Sequence, residues 1–139
     1  MKGIVLISHG PLARGMYETT KWFMGEEIPQ YGYLCLDSNE QPEEFDERLA
    51  KAIEENDSGE GVIVIADLFG GTPCNRAAMM IADGKTEVFA GMNLSLVLQL
   101  LGNRLSDNYD LEDLETSGKD GIVWVNRVMS SVRTDDNDE

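Results

Sequence analysis

Residues 62–75 read Val62-Ile63-Val64-Ile65-Ala66-Asp67-Leu68-Phe69-Gly70-Gly71-Thr72-Pro73-Cys74-Asn75. The first five are apolar, mostly β-branched, and lack the alternation of a half-exposed strand. Both faces are therefore expected to be covered, as in a central strand of a parallel sheet. Asp67 ends the run, Gly70 and Gly71 mark a turn, and Thr72 and Pro73 suit the N-cap and first position of a helix running through Ala77, Ala78 and Ile81. A strand passed directly into a helix is half of a βαβ unit, and this one sets the reading of everything around it.

The same unit recurs on both sides. Residues 3–8 (GIVLIS) form a first strand stopped by His9, Gly10 and Pro11, and Leu12, Met16, Thr20 and Phe23 then repeat at helical spacing until Gly25. Residues 31–36 (YGYLCL) read as a second strand. Pro42 opens a helix with a stripe of Phe45, Leu49, Ala52 and Ile53, ending in the turn-rich residues 56–59. Residues 87–90 are a short fourth strand, residues 94–105 a helix apolar enough all round to be largely buried, and Leu111 and Leu114 mark one more short helix. Residues 121–129 (GIVWVNRVM) alternate like a final strand. The expected fold class is α/β: a doubly wound, mainly parallel sheet of order 2-1-3-4, helices on both faces and a C-terminal extra strand, antiparallel to the rest. Residues 1–129 are expected to be one domain, and residues 130–139 an acidic, disordered tail.

Charge narrows the function classes. Of 139 residues, 26 are acidic and 11 basic, a net charge of −15 that repels phosphate backbones and excludes nucleic acid as a partner. No run reaches the roughly 18 apolar residues of a membrane span, and the N-terminal apolar stretch is too short for a secretory signal. Cys35 and Cys74 form no motif, and Cys35, in an apolar run, reads as a buried free thiol. The chain reads as cytoplasmic.

Right-handed crossovers bring the carboxyl ends of all parallel strands to one edge of the sheet, and ligands bind there, where strand order reverses. In the order 2-1-3-4 the first and third strands flank that point. They end in His9, the only histidine, and in Asp67. A carboxylate accepting from one ring N–H leaves the other ring nitrogen free as a nucleophile or base. Gly70 and Gly71 allow close backbone approach, and the amides beyond Thr72 would favour an anion such as phosphate. Taken singly, His9 could be a surface loop residue, Asp67 a cap, and Gly-Gly-Thr-Pro a plain turn. Gly91-Met92-Asn93 forms another loop on this edge, where Asn93 either lines the crevice or occupies a left-handed turn position. There is no P-loop lysine, and two zinc ligands at most, so neither a nucleotide, a metal nor any other cofactor is expected. A response-regulator receiver fits poorly, because the first strand does not end in an acidic residue.

From 1 to about 125 the chain resembles the mannose-family EIIA domains of the bacterial phosphoenolpyruvate-dependent sugar phosphotransferase system (PTS). The resemblance rests on Ser8-His9-Gly10, on Asp67 with Gly70-Gly71-Thr72-Pro73 and Asn75, on Gly91-Met92-Asn93-Leu94, and on Ser117-Gly118-Lys119-Asp120-Gly121. It implies a phosphotransferase component: His9 would take a phosphoryl group from the phosphocarrier HPr and pass it to an EIIB component. Asp67 would hold the ring, and Thr72 with Gly71 would contact the phosphate. It also implies an indirect link to membrane EIIC and EIID components, which set the sugar, and a homodimer in which the strand over 121–129 is often exchanged between subunits. Two positions depart from the family pattern, Ser95 where many members have Pro and Cys74 where many have a bulky apolar residue. Both bear on partner choice.

Two other readings compete. Cys74, in the first turn of a helix, could join His9 and Asp67 as a Cys-His-Asp thiol hydrolase. Alternatively the domain could be a regulatory module of the same fold that senses phosphorylation without relaying it.

Overall fold

The computed structural model describes residues 1–137. Its strands are β1 (Gly3–His9), β2 (Tyr31–Leu36), β3 (Val62–Ala66) and β4 (Thr86–Ala90), all parallel, in the order β2-β1-β3-β4. The connections are α1 (Leu12–Met24), α2 (Pro42–Asn56), α3 (Thr72–Ala78), α4 (Leu94–Leu105) and α5 (Leu111–Asp120), followed by α6 (Val125–Asn137). The expected parallel sheet, its strand order and its two helical layers are all present.

The central strands show why an unbroken apolar run was needed. Ile4, Leu6, Ile63 and Ile65 face Ala13 of α1, Val97, Leu100 and Leu101 of α4 and Leu114 of α5. Their neighbours Val5, Ile7, Val64 and Ala66 point the other way, against Phe45 and Leu49 of α2 and Cys74 and Ala77 of α3. The two-residue period of a strand thus divides one run between two cores. Full burial of each Ile or Leu contributes roughly 1.5–3 kcal/mol. Register aligns Ile7 with Leu34 on one side and Ala66 on the other, so β1 runs two residues beyond the end of β3, and Asp67, the first residue after β3, lies beside the last residues of β1.

Some details differ from the sequence reading. The buried line of α1 is Ala13 and Thr20, with Met16, Tyr17 and Met24 partly covered, whereas Leu12 and Phe23 are exposed. Thr20 can sit inside because its hydroxyl bonds the Tyr17 carbonyl and the Tyr31 hydroxyl. Helix α3 stops at Ala78, and Ile81 opens a separate 3₁₀ turn. Thr72 is the first residue of α3 rather than its cap: Gly71 is the N-cap, and no side chain caps that end. Cys35 is half-buried.

The largest correction concerns the C-terminus. No strand follows β4 among the described residues, and the extra strand expected over 121–129 is not formed. Residues 122–124 are irregular and α6 begins at Val125. A strand can satisfy its backbone only against a neighbour, whereas a helix satisfies its own. Val125, Val128, Met129 and Val132 also repeat at helical spacing, so the alternation read in GIVWVNRVM was one of two periods the residues carry. The helix continues to Asn137, through most of the segment expected to be a disordered tail. Ile122, Val123, Trp124, Val125, Val128, Met129 and Val132 are all exposed.

At the opposite edge from His9, Arg104 of α4 is only 3% exposed. Its guanidinium donates to the carbonyls of Lys2, Pro29 and Gln30, tying the amino end of β1 to the turn before β2. Among the described residues no carboxylate pairs with it, and burial lowers its pKa from the usual guanidinium value.

Candidate functional site

At the carboxyl edge, Asp67 and His9 bind each other twice. Asp67 Oδ2 accepts from the His9 backbone N–H at 2.9 Å and stands 2.9 Å from the ring Nδ1. A carboxylate has only acceptors to offer, so Nδ1 carries the proton and the lone pair is on Nε2. Asp67 Oδ1 accepts from the Leu68 N–H at 2.8 Å, and the Asp67 N–H donates to the Ile7 carbonyl at 3.1 Å. The carboxylate is therefore fixed from both ends. Its side chain is 10% exposed while that of His9 is 47% exposed. The pair has one anchored member and one presented to solvent.

Gly71 packs against the other side of the ring. A Cβ added there would lie 2.5 Å from His9 Cε1 and 3.1 Å from Nε2. Only glycine lets the ring stand where it does. Gly70 turns the chain at φ 84°, and Asn75 Nδ2 donates to its carbonyl at 3.1 Å, pinning the Gly-Gly turn onto α3. Thr72 and His9 share a cleft of about 420 Å³ with Gly10, Leu36, Asp37 and Glu40. On its other side His9 lines a more apolar cleft of about 520 Å³ with Leu12, Met16 and Leu94. The four residues expected at the site, His9, Asp67, Gly71 and Thr72, thus meet at one point.

Others do not join them. Cys74 is buried with Phe45 and Leu49 in the core between the sheet and α2, so it has no route to His9 and the thiol hydrolase reading fails on geometry. Asn93 is in extended backbone, not a left-handed turn. Its side chain accepts from the Leu96 N–H, capping α4, and donates to the Gly118 carbonyl. It lines a separate groove with Phe69, Phe89 and Ile122 beside the edge strand β4. Among the described residues, no group of three His, Cys, Asp or Glu side chains could hold a metal ion, and no helix is long and apolar enough to cross a membrane.

Two features escaped the sequence reading. Leu68 and Phe69 project from the loop after Asp67, both largely exposed. Ser8 is fully buried, and its hydroxyl donates to the Gly10 carbonyl at 2.9 Å and accepts from the Ala13 N–H at 2.7 Å. The available signal was a lone hydroxyl closing an otherwise apolar strand, immediately before the histidine.

Residues 3–116 match the family described as the PTS system fructose IIA component. The mannose-specific EIIAB component of Escherichia coli strain K12 is 27% identical over 124 residues, 86% of this chain but 38% of that protein. The fructose-specific EIIA component of Bacillus subtilis is 29% identical over 115 residues, covering 82% of this chain and 77% of the relative. Among solved structures, the PTS IIA protein associated with the fucose utilization operon of Streptococcus pneumoniae superposes with a TM-score of 0.85 at 27% identity, covering 92% of this chain and 96% of that one. The His9–Asp67 pair lies within the matched region, on a sheet of the same architecture. The chain belongs to the PTS EIIA family of the mannose, fructose and sorbose type.

Proposed function

We propose that this chain is a phosphoryl carrier in sugar uptake, accepting a phosphoryl group from phospho-HPr on His9 and passing it to an EIIB component that serves membrane EIIC and EIID. The observation that carries this is the His9–Asp67 bond, which leaves Nε2 as the exposed nucleophile. In the transfer, the Nε2 lone pair attacks the phosphorus as the donor's own N–P bond breaks, and the donor imidazole leaves with that electron pair. The His9 ring becomes positive, and Asp67 stabilises it without waiting for solvent to reorganise. Gly71 leaves room beside Nε2, and Gly71 and Thr72 are the phosphate contacts.

The surroundings suit a carrier better than a trap. The residues that line the two clefts at His9 include Asp37 and Glu40 but no lysine or arginine among the described residues. Glu40 is itself held by Arg48, which donates to both carboxylate oxygens at 2.6 and 2.7 Å. With no cation to hold it, a phosphoryl group on Nε2 stays easy to hand on. A cytoplasmic location follows from these partners.

The same reading includes a homodimer. Its support is the apolar surface over residues 122–132 and the groove beside the unpaired edge of β4, an edge that proteins ordinarily cover. Light scattering at micromolar concentration should give twice the chain mass.

The direct test is incubation with phosphoenolpyruvate, enzyme I and HPr, then mass spectrometry. One alkali-stable, acid-labile phosphoryl group should appear on His9 and be absent in His9→Ala. An acid-stable adduct, or one that persists in His9→Ala, would refute the proposal.

A further inference from the structure

We infer that Ser8 is the positioning residue of the His9 site: its buried hydroxyl fixes the turn that aims the imidazole at Asp67 and leaves Nε2 presented. The inference rests on the reading of His9 as phosphoryl acceptor.

The chain must do two opposed things within five residues. Up to His9 it is strand, paired with β2 through Leu36, and from Leu12 it is helix. Gly10 makes the turn at φ 54°, where a Cβ would meet no atom within 4 Å, so the position needs glycine for its backbone angle and not for space. Pro11 is the N-cap of α1 and offers no side-chain cap. The Ala13 amide would be an unpaired donor in a buried place. Ser8 answers both needs across the turn, accepting from Ala13 and donating to Gly10. A hydroxyl can do both at once; the methyl of alanine can do neither.

The consequence reaches His9 because that residue is held between the two ends of this clamp. Its backbone N–H and its ring Nδ1 both address the same oxygen of Asp67. That shared acceptor requires one orientation of the peptide entering His9 and one side-chain direction. If the Gly10 carbonyl swings free, the peptide leaving His9 is held only by the Gly10 N–H bond to the Leu36 carbonyl at 2.9 Å, the turn can shift about that one bond, and the ring loses its bond to Asp67. The proton is then no longer confined to Nδ1, and a share of molecules carries it on Nε2, the atom that must attack.

The test reads the ring directly, without phosphorylation. In the full chain labelled with ¹⁵N, two-bond ¹H–¹⁵N correlation at a pH where the ring is neutral should show one tautomer for His9, protonated on Nδ1. Ser8→Ala should show both tautomers in exchange, with phosphoryl uptake from phospho-HPr slowed roughly tenfold or more by the misaligned nucleophile. Ser8→Thr, which keeps the hydroxyl, should restore the single tautomer.

Gly10→Ala and Gly10→Asn give a second route should Ser8→Ala not fold. A Cβ at Gly10 meets no atom within 4 Å, and Asn adopts a positive φ more readily than Ala. Only Gly10→Ala should disturb the tautomer. A single Nδ1-protonated tautomer and wild-type uptake in folded Ser8→Ala, or in Gly10→Ala, would overturn the inference and make Ser8 only a helix cap. Failure of wild-type His9 to accept phosphate would overturn the functional reading instead, while the tautomer measurement would still decide the role of Ser8.

Discussion

The two ends of the central strands solve the same problem in opposite ways. At the carboxyl end, a polar side chain leaves β1 and meets a carboxylate from β3, with the ring half in solvent. At the amino end, Arg104 is sealed in, paired with three carbonyls and no carboxylate, and its Nε and the nearby Gln30 Oε1 have no hydrogen-bond partner. The buried cation braces the fold: it joins the amino end of β1, the turn before β2 and α4, and offers nothing to a ligand. The exposed pair adds little to folding but holds the His9 ring in one tautomer. A polar group at a strand end therefore signals function only when one partner is anchored and the other is left accessible.

Substitutions at the two ends should separate these roles. Arg104→Met should have the largest effect on stability, lowering it by about 2–4 kcal/mol, because the carbonyls of Lys2, Pro29 and Gln30 lose their shared, buried donor. Denaturant titration reads this, and the molecules that remain folded should still be phosphorylated at His9. Asp67→Asn should do the reverse. Its amide can place an N–H where His9 needs an acceptor, so exchange with phospho-HPr should fall by roughly 10²-fold, while the cooperative unfolding transition is kept. Unchanged exchange in Asp67→Asn would reduce Asp67 to a turn residue.

A smaller effect sharpens the geometry. Gly71→Ala puts a methyl carbon 2.5 Å from His9 Cε1, well inside van der Waals contact, so the ring cannot keep its place. Exchange should slow by about tenfold, less than the loss of the charge itself. Smallest is a pH effect in the core under α1. Burial pushes the Tyr31 hydroxyl up to about 12 from an ordinary 10.0, while its bond to Thr20 pulls the other way. The raised value means the folded state favours the neutral phenol. This stabilisation is complete below pH 10 and is lost as pH rises towards 12. Thermal melts across that range should show a decline that is weaker in Tyr31→Phe.

Much of this molecule was legible in its sequence because the decisive signals were local. An apolar run that ends in His9 or Asp67 can be read from a few residues, and handedness then brings the two together. Gly71 and Thr72, in the turn that follows Asp67, lie beside His9 for the same reason. What stayed hidden depended on distant neighbours. Residues 121–129 carry both a strand and a helix period, and whether an edge pairs with them is not a local property. The burial of Cys74 is set by Phe45 and Leu49, more than twenty residues upstream. The role of Ser8 is not legible in sequence, because its partners Gly10 and Ala13 become neighbours only once the turn has formed.

The central claim is that Asp67 occupies Nδ1, so that the phosphoryl group can enter only through Nε2. Phosphorylating ¹⁵N-labelled protein with phosphoenolpyruvate, enzyme I and HPr, then locating the large ³¹P–¹⁵N coupling within the His9 ring, tests it most directly. The account predicts a single adduct bonded through Nε2, with Nδ1 still protonated towards Asp67. An adduct bonded through Nδ1 would contradict it, because the carboxylate could not then be holding that nitrogen while the transfer takes place.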